Sequence, residues 1–151
     1  MKTIMLLLLS CTFYALPCRA QLGATVAQCE ARFGKTIKVF KDGDRAFESK
    51  GFSFVVGFDE NKLVHWINIE HVVKNEAVEP MTEDEITLAL SLGGVNWEVV
   101  WENHLNGHHL RKMQTHDGTA FGTVDRDVWI CTRKLHDDLD MEMQTRRARR
   151  L

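Results

Sequence analysis

Two histidines flank the strongest short hairpin signal in the chain, Asn106-Gly107. A two-residue loop at this dipeptide would make His104 and His109 cross-strand neighbours on one face of a hairpin. Imidazoles in that position could share a metal ion or respond to pH. A zinc site needs at least three protein ligands, and the spacing does not specify a third. Solvated polar hairpin residues are the simpler interpretation of His104 and His109.

The same loop fixes the register of the two strands that it joins. The predicted cross-strand pairs are Leu105 with His108, Glu102 with Arg111, Trp101 with Lys112, and Glu98 with Thr115. We expect an ordinary surface pair between Glu102 and Arg111, worth about 0.2–1 kcal/mol. A catalytic carboxylate pair is not favoured, because no nucleophile or base lies nearby in the sequence.

Tryptophan is the other notable residue type, and its four copies lie in predicted strands: Trp66, Trp97, Trp101 and Trp129. Burial between a helix and a sheet is the default role for such residues. Two or more exposed tryptophans would instead anchor a binding face, since Trp is enriched at interface hot spots. The candidate binding residues are Trp97, Trp101 and Lys112, with a cation–π contact between the last two.

The remaining reactive residue types form no catalytic pattern. Beyond residue 20 the serines are Ser49, Ser53 and Ser91, and none has the context of a nucleophile elbow. Gly93-Gly94 resembles a helix stop rather than a phosphate-binding loop. We therefore predict no catalytic residues and no cofactor. Metal-assisted hydrolysis at the hairpin histidines is the alternative.

Two cysteines, Cys29 and Cys131, lie outside the N-terminal segment. In an oxidising compartment they could form a disulfide that closes a loop of about 100 residues, worth up to about 4–5 kcal/mol. Two separate buried thiols are the other possibility, since free Cys is among the most buried residue types. We expect no bond, because each cysteine belongs to a different half of the chain.

The elements that would position these residues follow a pattern that occurs twice. Thr25 and Gln28 form a capping box, and the helix that follows them ends at Gly34. Strands are then predicted over residues 37–40, 45–49, 52–58 and 63–69. Thr82 and Glu85 form a second capping box, with a helix that ends at Gly93-Gly94. Strands are again predicted, over residues 97–105, 108–115, 119–124 and 128–134.

This pattern predicts an α+β fold of two tandem helix-plus-antiparallel-sheet units packed as one domain. The domain would span residues 21–135, with units at about 22–72 and 81–135. Residues 136–151 would form a charged C-terminal tail. Four arginines lie at the end of this tail: Arg146, Arg147, Arg149 and Arg150. The tail could be attracted to an anionic surface, or it could simply be a solvated chain end.

The first 20 residues have the layout of a secretory signal peptide. Lys2 gives a positive start, residues 4–9 are apolar, and Cys18-Arg19-Ala20 places small residues around a cleavage site. The sequence therefore predicts an exported protein, periplasmic or secreted, that begins at Gln21. A buried N-terminal helix and a lipoprotein cleaved before Cys11 are the alternatives.

Composition limits the function classes. Of 151 residues, 44% are hydrophobic and 26% charged, which is typical of a globular protein. No apolar run reaches the roughly 18 residues of a transmembrane helix, so we expect no membrane span after signal removal. The net charge is −2, and loss of Lys2 and Arg19 would leave 17 basic residues against 21 acidic ones. This balance argues against a nucleic-acid partner.

The segment Leu22-Gly23-x-Thr25-x-x-x-Cys29-x-x-x-Phe33-Gly34 carries a resemblance. It is similar to the opening of helix-then-sheet repeats in SmpA/OmlA-type outer-membrane assembly lipoproteins and tandem-repeat β-lactamase inhibitory proteins. The whole chain also resembles small exported bacterial proteins of unknown function. The inhibitor resemblance implies a concave sheet that grips a protein. We accordingly predict an exported, non-enzymatic binding module whose partner is an envelope or secreted protein.

Overall fold

The computed structural model describes residues 21–72, 80–105 and 108–148. The predicted signal peptide (residues 1–20) and the Asn106-Gly107 loop lie outside the described residues. The predicted α+β class is confirmed. The elements in order are α1 (Val26–Phe33), β1 (Lys38–Val39), β2 (Arg45–Ser49), β3 (Phe52–Phe58), β4 (Val64–His71), α2 (Glu83–Leu90), β5 (Trp97–Leu105), β6 (His108–Thr115), β7 (Ala120–Val124), β8 (Val128–Thr132) and α3 (Arg133–Ala148).

All eight strands form one antiparallel sheet in the order β1-β2-β3-β4-β8-β7-β6-β5. A helix followed by four strands occurs twice, and the two runs of strands meet where β4 pairs with β8. There Ile67 lies opposite Ile130, and Trp66 lies opposite Cys131. The two halves therefore share a single sheet, and their description as tandem units stays a prediction.

Both predicted capping boxes are present. Thr25 accepts a hydrogen bond from the backbone N–H of Gln28, whose side chain in turn accepts from the backbone N–H of Thr25. Thr82 and Glu85 make the same reciprocal pair at α2. These bonds satisfy N–H groups that have no partner within the first helical turn, so each helix begins at a defined residue.

Helices α1 and α2 cover one face of the sheet, which we call the inner face. Phe33 of α1 stacks on Phe54 of β3, with ring centroids 4.3 Å apart. The core lies between these two helices and the inner face of the sheet. Its buried side chains include Cys29, Phe33, Phe47, Phe54, Val56, Ile67, Ile69, Ile86, Ala89, Leu90, Val128 and Ile130. We call the opposite face the outer face.

The C-terminal segment differs from the prediction. The last strand ends at Thr132 rather than at residue 134, and residues 133–148 form α3, which includes most of the predicted charged tail. This segment forms a helix because it is rich in residues with high helix propensity and contains neither Gly nor Pro. At the start of the helix, the Thr132 hydroxyl accepts a hydrogen bond from the Leu135 N–H. Within α3, Arg146 pairs with Glu142, which balances one of the tail charges.

Helix α3 packs on the outer face against β7 and β8. The ring of Phe121 stacks on His136 at 4.0 Å, and the Arg133 guanidinium lies 5.0 Å from the same ring. None of the helices in the described ranges is long and apolar enough to cross a membrane.

The sheet separates the two cysteines. Cys29 is buried in the core of the inner face, while Cys131 follows the inward-facing Ile130 and therefore lies on the outer face. The Cys131 thiol is free and fully buried. Burial, with Asp137 of α3 nearby, raises the pKa of this thiol to about 12. Because Cys29 and Cys131 lie on opposite faces of the sheet, they form no disulfide in this structure, as expected from the sequence.

Candidate functional site

Strands β5 and β6 pair in the predicted register near their shared loop. His104 lies opposite His109, Glu102 opposite Arg111, and Trp101 opposite Lys112. A β-bulge between Val99 and Trp101 then adds a residue to β5. As a result Glu98 lies opposite Gln114 and Trp97 opposite Thr115, so the predicted pairing of Glu98 with Thr115 is wrong.

The bulge separates the three candidate binding residues. Trp97 points to the inner face, where it packs against the core and its Nε1 donates to the Leu90 carbonyl at 2.9 Å. Trp101 points to the outer face beside Lys112, whose Nζ lies 5.6 Å from the indole ring centroid. The structure thus brings Trp101 and Lys112 together and places Trp97 on the other side of the sheet.

Two further tryptophans join Trp101 on the outer face. Trp129 lies between the inward-facing Val128 and Ile130, and Trp66 lies opposite Cys131. Both indoles are half-buried, whereas Trp101 is 44% exposed. Three of the four tryptophans therefore share one face.

A glycine makes room for one of these rings. A Cβ atom on Gly57 would lie 1.8 Å from Nε1 of Trp66. The absence of a side chain at Gly57 therefore allows the Trp66 indole to lie across β3. Sequence patterning gave no sign of this contact, because it depends on the register between β3 and β4.

The outer-face tryptophans of β5 and β8 lie in one cross-strand row. Trp129 is opposite Thr123, Thr123 is opposite Lys112, and Lys112 is opposite Trp101. Neighbouring strands are about 4.8 Å apart, so this row spans roughly 14 Å between the two tryptophans. Helix α3 contacts Phe121 on this face, and Trp101 is exposed. We call these four residues the tryptophan row.

The hairpin histidines acquire a third potential ligand. His109 Nε2 lies 3.2 Å from Glu102 Oε2, and the His104 and His109 rings stack with centroids 3.9 Å apart. Ligand atoms of all three residues lie within 4.8 Å of one another. Glu102 could have been recognised from the sequence, because a residue two positions before His104 lies on the same face of a strand.

Arg111 explains why Glu102 is available to the histidines. Sequence reasoning paired Glu102 with Arg111, but both terminal nitrogens of Arg111 donate to the Glu83 carboxylate of α2, each at 3.0 Å. His116, the residue directly after β6, lies apart from this group, with its Nε2 3.9 Å from Glu98 Oε2.

Comparisons with known proteins add little to this geometry. No protein family and no curated protein matches the chain. Among solved structures, a DUF4309 family protein from Bacillus subtilis is 10% identical with a TM-score of 0.44, covering 72% of this chain and 78% of that one. A cysteine-rich secretory protein from Staphylococcus aureus is 10% identical with a TM-score of 0.41, covering 76% of this chain and 45% of that one. None of these matches confirms the resemblance to SmpA/OmlA-type or β-lactamase inhibitory proteins.

Proposed function

We propose that this chain is an exported, non-enzymatic binding module that docks an envelope or secreted protein on the outer face of its sheet. The observation that carries the proposal is the tryptophan row. Trp101 is 44% exposed, and Trp129 is half-buried in the same row. Large aromatic side chains at a solvent-accessible position are the usual anchors of protein interfaces.

The chemistry of the row suits a protein surface with an apolar centre. Lys112 lies over the Trp101 ring, so a partner would meet an aromatic plane flanked by a positive charge. At the neighbouring position Gln114 donates to Glu98 at 2.7 Å, which adds a polar border. An aromatic centre with a polar rim is the common anatomy of an interface.

Crosslinking and a matched pair of variants test this function. A photo-crosslinking amino acid at position 101 should capture a protein partner in the native envelope, whereas the same group at position 88 should not. Leu88 is a suitable control because it is 62% exposed but lies on α2, at the inner face. Trp101→Ala should weaken binding of the captured protein at least about tenfold, as expected for a hot spot, and Leu88→Ala less than about twofold. Equal effects of the two substitutions would contradict docking on the outer face.

Export is part of the same proposal and has its own test. N-terminal sequencing of the protein recovered from cells that express residues 1–151 should give Gln21 as the first residue. A retained Met1 or a lipidated Cys11 would overturn this part.

Metal-assisted hydrolysis has weaker support than binding. Glu102 and His104 are exposed, whereas enzymes usually hold their substrates in concave sites that exclude water. Attraction of the C-terminal arginines to an anionic surface remains a separate proposal, and residues 149–151 lie outside the described part of the chain.

A further inference from the structure

We propose that Glu102, His104 and His109 form a binding site for a divalent transition-metal ion of the Zn²⁺ class. The site lies on the β5–β6 hairpin and its side chains point to the inner face, away from the tryptophan row. The inference therefore does not depend on the proposed docking function.

The distances suit a single small ion. Zinc binds imidazole nitrogen and carboxylate oxygen at about 2.0–2.2 Å, so two ligand atoms on one tetrahedral ion lie roughly 3.3–3.5 Å apart. His109 Nε2 and Glu102 Oε2 are already 3.2 Å apart. All three ligand atoms lie within 4.8 Å of one another, and both Glu102 and His104 are exposed. Small side-chain rotations, unopposed by packing, would complete the set.

The backbone holds the three ligands in place before any ion binds. His104 and His109 are a directly opposed cross-strand pair, and their rings already stack at 3.9 Å. Glu102 is two residues from His104 on the same strand and so shares its face. Because the backbone of all three residues is fixed on paired strands, only their side chains lose conformational freedom on binding.

The local charges also favour a cation. The nearest arginine, Arg111, could otherwise compete with a metal ion for Glu102. Its guanidinium instead makes two bonds of 3.0 Å to Glu83, and its side chain is only 13% exposed. The carboxylate of Glu102 therefore contributes a negative charge that this arginine does not use.

The ligand types select the class of ion. Two imidazoles with one carboxylate suit Zn²⁺, Cu²⁺ and Ni²⁺, whereas Mg²⁺ and Ca²⁺ prefer oxygen ligands alone. Three protein ligands leave at least one coordination position for water or for a group from another molecule.

Isothermal titration with Zn²⁺ tests the site on protein purified without a polyhistidine tag and treated with a chelator. We expect one ion per chain at pH 7.5 with a dissociation constant below about 100 µM. We expect binding to be weakened at least about tenfold by each of three substitutions: His104→Ala, His109→Ala and Glu102→Gln. Even residues that only hydrogen-bond to metal ligands commonly change metal affinity by about 10–100-fold. Affinity should fall as the pH is lowered, because protons compete with the metal ion for its ligands.

His116→Ala is the matched control, because it removes a histidine that directly follows β6 and lies outside the cluster. It should leave affinity within about twofold of the unsubstituted chain. Side-chain NMR of the unsubstituted protein should show Zn²⁺-dependent shifts at His104 and His109, independently of how the variants fold. Absence of binding below about 100 µM, or unchanged affinity in all three ligand variants, would overturn the proposal.

Discussion

Trp97 and Trp101 belong to the same strand yet lie on opposite faces of the sheet. The bulge between Val99 and Trp101 changes the alternation, so Trp97 pairs with Thr115 toward the core while Trp101 pairs with Lys112 on the outer face. Without this extra residue, both indoles would point inward. One irregularity in β5 therefore divides the tryptophans between a packing role and an exposed position.

Opposite orientations predict opposite energetic roles for these two residues. Trp97→Ala should lower the free energy of unfolding by about 3 kcal/mol, because it removes a core contact and the bond to the Leu90 carbonyl. Trp101→Ala should lower it by less than about 1 kcal/mol, because this side chain is 44% exposed. Urea unfolding of both variants measures the difference, and equal losses would contradict the assigned faces.

The contact between Gly57 and Trp66 can be tested with a double-mutant cycle. Gly57→Ala should cost about 1–3 kcal/mol, because the new Cβ atom would collide with the Trp66 indole. In a Trp66→Ala background the same substitution should cost little. A penalty of the same size in both backgrounds would show that the ring is not its cause.

The two capping boxes predict matched losses of stability. Thr25→Ala and Thr82→Ala should each lower the free energy of unfolding by about 1 kcal/mol, since each frees a backbone donor at a helix N-terminus. Thr25→Ser and Thr82→Ser serve as controls because serine keeps the hydroxyl. Urea midpoints that do not move in the alanine variants would argue against these caps.

Burial of Cys131 predicts a dependence of stability on alkaline pH. Its thiol has a pKa raised from 9.0 to about 12 in the folded protein, chiefly by burial. Between these values the unfolded chain loses a proton that the folded chain keeps, so stability falls as pH rises above about 9. The slope from this thiol is at most about 1.4 kcal/mol per pH unit.

Comparison with Cys131→Ala isolates that effect from other groups that titrate in the same range. The difference in unfolding free energy between the two proteins should be constant below about pH 8 and shrink from pH 9 to 11. A difference that stays constant throughout would mean that the thiol is not protected from ionisation by the fold.

Features set by neighbouring residues could be predicted from the sequence. The caps at Thr25 and Thr82 depend on residues three positions apart, and both are present. The pairing of His104 with His109 follows from a two-residue loop, and it is also observed. Local hydrogen bonds and tight loops leave few alternatives, which explains why these predictions succeed.

Features set by contacts between distant residues could not be predicted in the same way. The bulge at Val99 leaves no local signal, and it shifts Trp97 and Glu98 by one residue from the expected register, so that Trp97 and Trp101 lie on opposite faces. The many charges of residues 136–151 predict a charged tail, whereas helix α3 depends on packing against Phe121, a contact with a strand that the sequence does not specify. The expected ion pair between Glu102 and Arg111 is replaced by one between Arg111 and Glu83, because α2, which carries Glu83, packs near β6 in a way that the sequence does not specify.

The two edges of the sheet differ greatly in length, with two residues in β1 and nine in β5. A long edge strand presents unpaired backbone amides and carbonyls that can pair with the same strand of another molecule. Val99 and Val100 add exposed apolar surface at this edge, at 47% and 49%. Because the bulge falls at these valines, it breaks the regular spacing of the backbone groups and disfavours fibre growth by edge-to-edge association in concentrated solution.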